Sequence, residues 1–347
     1  MKATYHKYIL NFKRPSGTSR GVLKTKETWF LKLQEGETWG IGECGILRGL
    51  SIDDRPDFEA KLQWVCANIE LGKHALYAQL TEFPSIQFGV EMAFASFEAS
   101  NPFVLFPSEF TTGAKQIPIN GLVWMGDTTF MKQQITEKLA QGFSCIKLKI
   151  GAIDFASEIQ LLQNIRKEFS ASEIELRVDA NGAFSPSEAL DKLKILSELE
   201  LHSIEQPIKQ GQWQEMARLC DKTPLPIALD EELIGVFSSE EKEKLLKTIQ
   251  PQYIILKPSL IGGIQGSDSW IDLAAQKNIG WWITSALESN IGLNAISQYT
   301  FTKNSKLPQG LGTGSLYTNN IPSPLEVSQG AILYNTDKMW ELSTLKL

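Results

Sequence analysis

Histidine is scarce in this chain: the 347 residues hold only His6, His74 and His202. None stands in an H-x-x-x-H pair or beside a G-x-S-x-G turn, so zinc-peptidase and serine–histidine chemistry lack their parts. Cysteine is almost as thin. Cys44, Cys66, Cys145 and Cys220 lie far apart and form no C-x-x-C, which points to reduced thiols and not to a disulfide frame or a structural zinc. There is no G-x-G-x-x-G or G-x-x-x-x-G-K-[ST] loop to cradle a nucleotide phosphate. Lys and Arg number 34 against 40 Asp and Glu, a net charge of −6, and no basic tract stands out. Nucleic-acid binding through phosphate contacts is therefore not expected. No apolar run approaches the ~18 residues of a membrane span. The N-terminal MKATYHKYILNFKRPSG has no sustained apolar core before a small-residue cleavage site, so no signal peptide is expected. The expectation is a cytoplasmic chain with a small-molecule partner, no nucleic acid and no membrane, and with room for a homo-oligomer.

What is present is an ordinary globular balance, 42% apolar and 21% charged, long enough for two domains or one large barrel with an attachment. Residues 1–45 alternate like strands of a small antiparallel sheet: YHKYILNF, ETWFLKLQ and ETWGIGECGIL. Residues 54–100 have helical apolar spacing. After a linker at 101–113, short apolar strands alternate with amphipathic helices. Strands are expected at 116–123, 144–150, 175–180, 202–206, 226–231, 253–257, 280–287 and, weakly because of its glycines, 309–313. Ser185-Pro186-Ser187-Glu188 supplies a capping serine, a first-turn proline and a Glu three residues on, which predicts a helix start. The charged run 239–247 reads as a solvated helix face. Eight such units fit a (β/α)8 barrel with an α+β capping domain. The expected boundaries are 1–112 for the cap, 113–320 for the barrel, and 321–347 returning to complete the cap.

Functional residues of such a barrel sit at the C-terminal strand ends. Those ends read Lys147 and Lys149 on the second strand, Asp179 and Asn181 on the third, Glu205 on the fourth, Asp230 on the fifth and Lys257 on the sixth. Lys149, Asp179, Glu205, Asp230 and Lys257 are spaced by about one βα unit, so they converge on one mouth. Three converging carboxylates would repel one another without a cation. As hard oxygen ligands with open positions they suit one divalent ion, Mg2+, with Mn2+ as a substitute. Lysines on either side suit removal of the weakly acidic proton beside a carboxylate, because the metal and an ammonium stabilise the enediolate that forms. Lys147, together with the metal, is expected to lower the pKa of Lys149 so that it can act as a neutral base.

The ordered set K-x-K, D-x-N, E-Q-P, D-E and K-P resembles the enolase superfamily, and lysines on both the second and sixth strands resemble its muconate-lactonizing subgroup. The resemblance spans nearly the whole chain. It implies that Asp179, Glu205 and Asp230 are metal ligands, that Lys149 is the acid/base, that Lys257 is the opposing lysine and that Lys147 supports Lys149. It also places Asn181 beside the metal. Asn181, Arg177, which stands in an R-x-D-A-N pattern, and Ser285 and Ser289 in SALESNIG are the candidate substrate-binding residues; Glu231 and Glu288 take no assigned role. The subgroup's dipeptide epimerases carry D-x-D at the eighth strand, where this chain has Gly310 and Gly312. RGVLKTKETWFLKL, PINGLVWMG and GLGTGSLYTNN are most similar to the subgroup's dehydratases of menaquinone biosynthesis. The implied activity is a Mg2+-dependent dehydration of a cyclic hydroxy-carboxylate. Other reactions of the subgroup, racemisation of N-acylamino acids or muconate-type cycloisomerisation, are the alternatives, as is a barrel that only binds.

Overall fold

The computed structural model describes residues 1–18, 21–124, 127–343 and 345. Strands β1 (Lys2–Thr18), β2 (Gly21–Glu35) and β3 (Thr38–Gly45) form an antiparallel sheet in that order. Helices α1 (Phe58–Ala67), α2 (Gly72–Ala78) and α3 (Pro84–Glu98) follow it. Alternation along β2 divides its side chains between two cores. Trp29, Leu31 and Leu33 pack with Val90 and Phe94 of α3. Phe30 turns the other way, into the core shared with the rest of the molecule. A Cβ at Gly42 would collide with the carbonyl oxygen of Gly89, so only glycine lets β3 and α3 approach this closely.

The second half is built on a parallel sheet. After a two-residue strand β4 (Ile117–Pro118), seven strands pair in sequence order: β5 (Gly121–Val123), β6 (Cys145–Lys149), β7 (Glu175–Asp179), β8 (Ser203–Glu205), β9 (Ile227–Leu229), β10 (Tyr253–Leu256) and β11 (Gly280–Ile283). Between and after them run α4 (Thr128–Ala140), α5 (Phe155–Glu168), α6 (Pro186–Ser197), α7 (Trp213–Lys222), α8 (Ser239–Ile249), α9 (Pro258–Ile261), α10 (Gly263–Gln276) and α11 (Asn290–Thr302). The helix start read at Ser185 is a capping box: Ser185 N–H donates to Glu188 Oε1 at 3.1 Å. Among the described residues no helix is long and apolar enough to cross a membrane.

Three sequence expectations are modified. The segment 116–123 is two strands, not one, with β4 turned away from the parallel sheet. The expected eighth strand is no strand among the described residues. Residues 309 and 310 make only single bridges, to Ile119 on one side and Thr284 on the other. Glycine gives a strand no side chain to pack, and at Gly310 the hydroxyl of Thr284 already fills the space of a Cβ. The run 239–247 is not wholly solvated. Within α8, Lys242 is buried, donates to the Gly266 carbonyl at 3.2 Å and lies over the Trp270 ring. The C-terminal segment divides its contacts. Its hairpin, β12 (Leu325–Ser328) and β13 (Ala331–Tyr334), pairs with β4, while Trp340 stacks on Phe103 at 4.3 Å between centroids, and Phe103 in turn meets Trp39.

Candidate active site

In-register parallel pairing sets Lys149 beside Asp179 and Asp179 beside Glu205 across β6, β7 and β8. Alternation sends Lys147 and Lys149 to one face of β6. The site that results is buried: Asp179 is fully enclosed, and Glu205 and Asp230 are each 2% exposed. Lys147 Nζ is 2.9 Å from Asp179 Oδ2 and also pairs with Glu205 Oε2. Lys149 Nζ donates to Asp179 Oδ2 at 2.7 Å and to Asn181 Oδ1 at 2.5 Å. Lys257 Nζ pairs with Asp230 Oδ2. Asn181 holds a positive φ of 43° and donates through Nδ2 to Glu231 Oε1 at 2.9 Å. Strain of this kind gathers where the surroundings dictate a side chain's position.

Charge balance explains the ionisation pattern. Burial by itself would raise the pKa of Asp179, but the ammoniums of Lys147 and Lys149 outweigh it and hold the carboxyl far below the usual range. Asp230 is lowered against the same burial penalty by Lys257 and Lys147. Burial would discharge Lys147, yet Asp179, Glu205 and Asp230 keep it an ammonium, and Asp230 and Glu205 do the same for Lys257. Glu205 is left over. Burial, reinforced by the charge of Asp179, pushes its pKa well above the carboxylate range. Its Oε1 is buried without a hydrogen-bond partner.

That orphaned oxygen, in an all-oxygen donor set, fits a hard divalent cation. Among the described residues no three acidic, His or Cys side chains already close on a common point at ligand spacing. Lysine ammoniums stand between them, with Lys147 bridging Asp179 and Glu205.

Above this layer opens a cavity of about 850 Å³, faced by Lys147, Lys149, Asn181 and Lys257. Ser285 and Thr313 line its wall, and Leu23, Leu47 and Leu50 reach over it from the N-terminal part. Two expected substrate contacts are not in this cavity. Ser289 is fully buried, donates to Glu43 Oε2 at 2.5 Å and accepts from Ile291 N–H, so it caps α11. Arg177 points into the sheet's interior, where it bonds Glu175 and the Pro308 carbonyl and stacks over Trp282. Ser285 does line the cavity, but its hydrogen is given to Glu288 Oε2 at 2.7 Å.

The sequence reading passed over Gln206 and Glu232. Gln206 Oε1 accepts from the N–H groups of Asp230 and Glu232, and its Nε2 donates to Glu232 Oε2 at 3.1 Å. The E-Q-P and D-E-E motifs thus interlock, and a glutamine following one acid on a strand end was the available signal.

Known proteins resemble this chain in sequence and fold. Residues 131–337 match the model described as Enolase C-terminal domain-like, and residues 1–97 match that of the MenC N-terminal domain. The chain belongs to the enolase superfamily. Members of this superfamily are Mg2+-dependent in general. Among relatives within it, the o-succinylbenzoate synthase of Desulfotalea psychrophila is 47% identical, over 96% of this chain and 98% of that one. The crystal structure of MenC from the same organism superposes with a TM-score of 0.86 at 43% identity, covering 96% and 99% of the two chains. Muconate lactonizing enzyme from Pseudomonas fluorescens shares the superfamily fold at 20% identity, with a TM-score of 0.83 over 99% and 97%.

Proposed function

We propose that this chain dehydrates 2-succinyl-6-hydroxy-2,4-cyclohexadiene-1-carboxylate to o-succinylbenzoate, the aromatising step of menaquinone biosynthesis, in the cytoplasm. The observation that carries this reading is the pair Lys149 and Lys257 facing one cavity over Asp179, Glu205 and Asp230, in a chain 47% identical over nearly its whole length to an o-succinylbenzoate synthase. Asp179, Glu205 and Asp230 would hold Mg2+, or Mn2+ in its place. When bound, the ion supplies electrostatic stabilisation of negative charge developing on the substrate carboxylate.

Lys149, as its neutral amine, removes the proton beside that carboxylate and, now an ammonium, delivers a proton to the departing hydroxyl on the same face, so that water leaves and the amine is restored. Lys257 presents its ammonium to the developing charge from the other side. Lys147, an ammonium locked between Asp179 and Glu205, keeps positive potential next to Lys149. Asn181 orients Lys149 through the bond to its Nζ. Gly310 and Gly312 line the cavity and bring no carboxylate of their own to hold a substrate ammonium, which favours the hydroxy-acid over a dipeptide. We also assign 113–320 as a (β/α)8-type barrel, its eighth position closed by the single bridges of Gln309 and Gly310 to Ile119 and Thr284, and 1–112 as the capping domain, which the segment 321–347 meets through the stack of Trp340 on Phe103 while its hairpin stays with β4.

The test is turnover of the purified hydroxy-acid, followed by the ultraviolet absorbance of the aromatic product. Lys149→Ala is expected to lose at least 1,000-fold in kcat, the scale on which general acid–base groups act. Near-normal turnover by that variant would sink the acid/base assignment. A wild-type enzyme that exchanges the α-proton of N-succinylamino acids but leaves the hydroxy-acid untouched would transfer the reading to racemisation.

A further inference from the structure

The segment Tyr317-Thr318-Asn319 follows the wall of the cavity and has no part in the chemistry above. It lies along the outer edge of β1. Asn319 behaves there as a one-residue strand: its Oδ1 accepts from Asn11 N–H at 2.8 Å, and its Nδ2 donates to the Ile9 carbonyl at 2.7 Å. Its own carbonyl accepts from Tyr8 Oη at 2.8 Å. Thr318 N–H donates to the Asn11 carbonyl at 2.9 Å. One residue further along the hairpin, Phe12 packs on Tyr317 with ring centroids 4.7 Å apart. Tyr317 Oη then donates to the carbonyl of Leu287, which lines the cavity. Immediately past this strap, β1 carries Lys13 and Arg14 into the cavity mouth.

We propose that Asn319 is a positioning residue for substrate binding, fastening β1 so that the cationic Lys13–Arg14 stretch stands over the cavity and meets an anionic substrate. The proposal rests on the dehydratase reading, whose substrate carries two carboxylates. Five hydrogen bonds, counting that of Thr318 Oγ1 to the Asn11 carbonyl at 3.3 Å, and a ring contact join the two segments. Two of those bonds need the amide of Asn319 in particular, because aspartate keeps the acceptor but places a second oxygen against the Ile9 carbonyl. The strap touches neither lysine nor carboxylate of the reacting layer. Loosening it weakens ground-state and transition-state binding alike and leaves the chemical step intact, the signature of uniform binding.

The experiment compares steady-state kinetics of the Mg2+-loaded wild type with Asn319→Ala and Asn319→Asp. Both variants are expected to raise KM at least tenfold while kcat stays within threefold and Mg2+ affinity is unchanged. An unaltered KM, or a fall in kcat at constant KM, would overturn the proposal. Should both variants fail to fold, Tyr8→Phe removes a single bond of the strap and is expected to raise KM two- to threefold; no change would overturn it. Should the wild type not turn over the hydroxy-acid, the functional reading has failed and not the strap. The strap is then read by trypsin cleavage after Lys13 and Lys24, which is faster in Asn319→Ala if it holds β1 and equal to wild type if it does not.

Discussion

Glu205 carries the sharpest residue-scale consequence. In the folded protein its carboxyl is raised by burial and by Asp179, and one of its oxygens has no partner. A raised carboxyl loses folding stability as pH climbs above its unfolded value, because the folded chain keeps a proton that the unfolded chain releases. The isosteric Glu205→Gln change removes that burden and also removes a ligand. Its effect therefore has opposite signs in two conditions. At pH 7.5 and free of metal, the variant is expected to melt at or above the wild-type temperature; with saturating Mg2+ the wild type gains and the variant does not. Differential scanning calorimetry with and without the ion checks both halves. A variant less stable than wild type in the metal-free state would show that Glu205 is held by something other than a missing cation.

At the scale of elements, the parallel sheet and α10 show how far the sequence could be read. The lysines and acids at the ends of β6 to β10 were legible because one βα unit recurs about every 26 residues and strand alternation fixes the facing side. Ser285 was legible as lining, but not the direction of its hydrogen, which depends on Glu288. Ser289 and Arg177 were misplaced for another reason. One sits a single step past the loop, where it caps a helix; the other lies one pleat below Asp179 on the same face, where the side chain meets Trp282. Tertiary packing decides both. The eighth strand dissolved where Gly310 met Thr284 and Gly312 met Ile119. A similar long-range effect operates at α10, whose first N–H groups, at Ile264 and Gln265, donate to Glu91 of α3 at 2.6 and 3.0 Å. Burial pushes Glu91 up to about 7 against these bonds. Its ordinary value is 4.5, so the folded chain binds the extra proton between about pH 4.5 and 7, and stability falls as pH rises through that window. At ~1.4 kcal/mol per pKa unit this limb amounts to about 3 kcal/mol. Glu91→Gln is expected to flatten it, measured as the change in Tm between pH 5 and 8; an unchanged slope would remove Glu91 as its source. Gly263, with φ of 70°, leaves no room for a Cβ beside Glu91 Oε2, so Gly263→Ala should cost more than the ~1 kcal/mol of an ordinary left-handed glycine and should weaken the α3–α10 contact.

For the molecule as a whole, a cation bound only by the native state couples occupancy to stability. Mg2+ at 100 times its dissociation constant should add about 2.7 kcal/mol. EDTA is expected to lower Tm by a few degrees and to abolish turnover, and added Mg2+ or Mn2+ to restore both. A Tm indifferent to EDTA would contradict the coupling.

Whole-molecule architecture also bears on how the chain survives its own synthesis. β1 is a 17-residue strand at the border of its sheet, and a long bare border invites a strange chain to add itself. In the finished protein, residues 317–319 occupy that border near Ile9–Phe12. They leave the ribosome some 300 residues after the strand they shield. Throughout that interval the nascent hairpin is exposed to stray pairing, and the hazard ends only when residues 317–319 are laid against it.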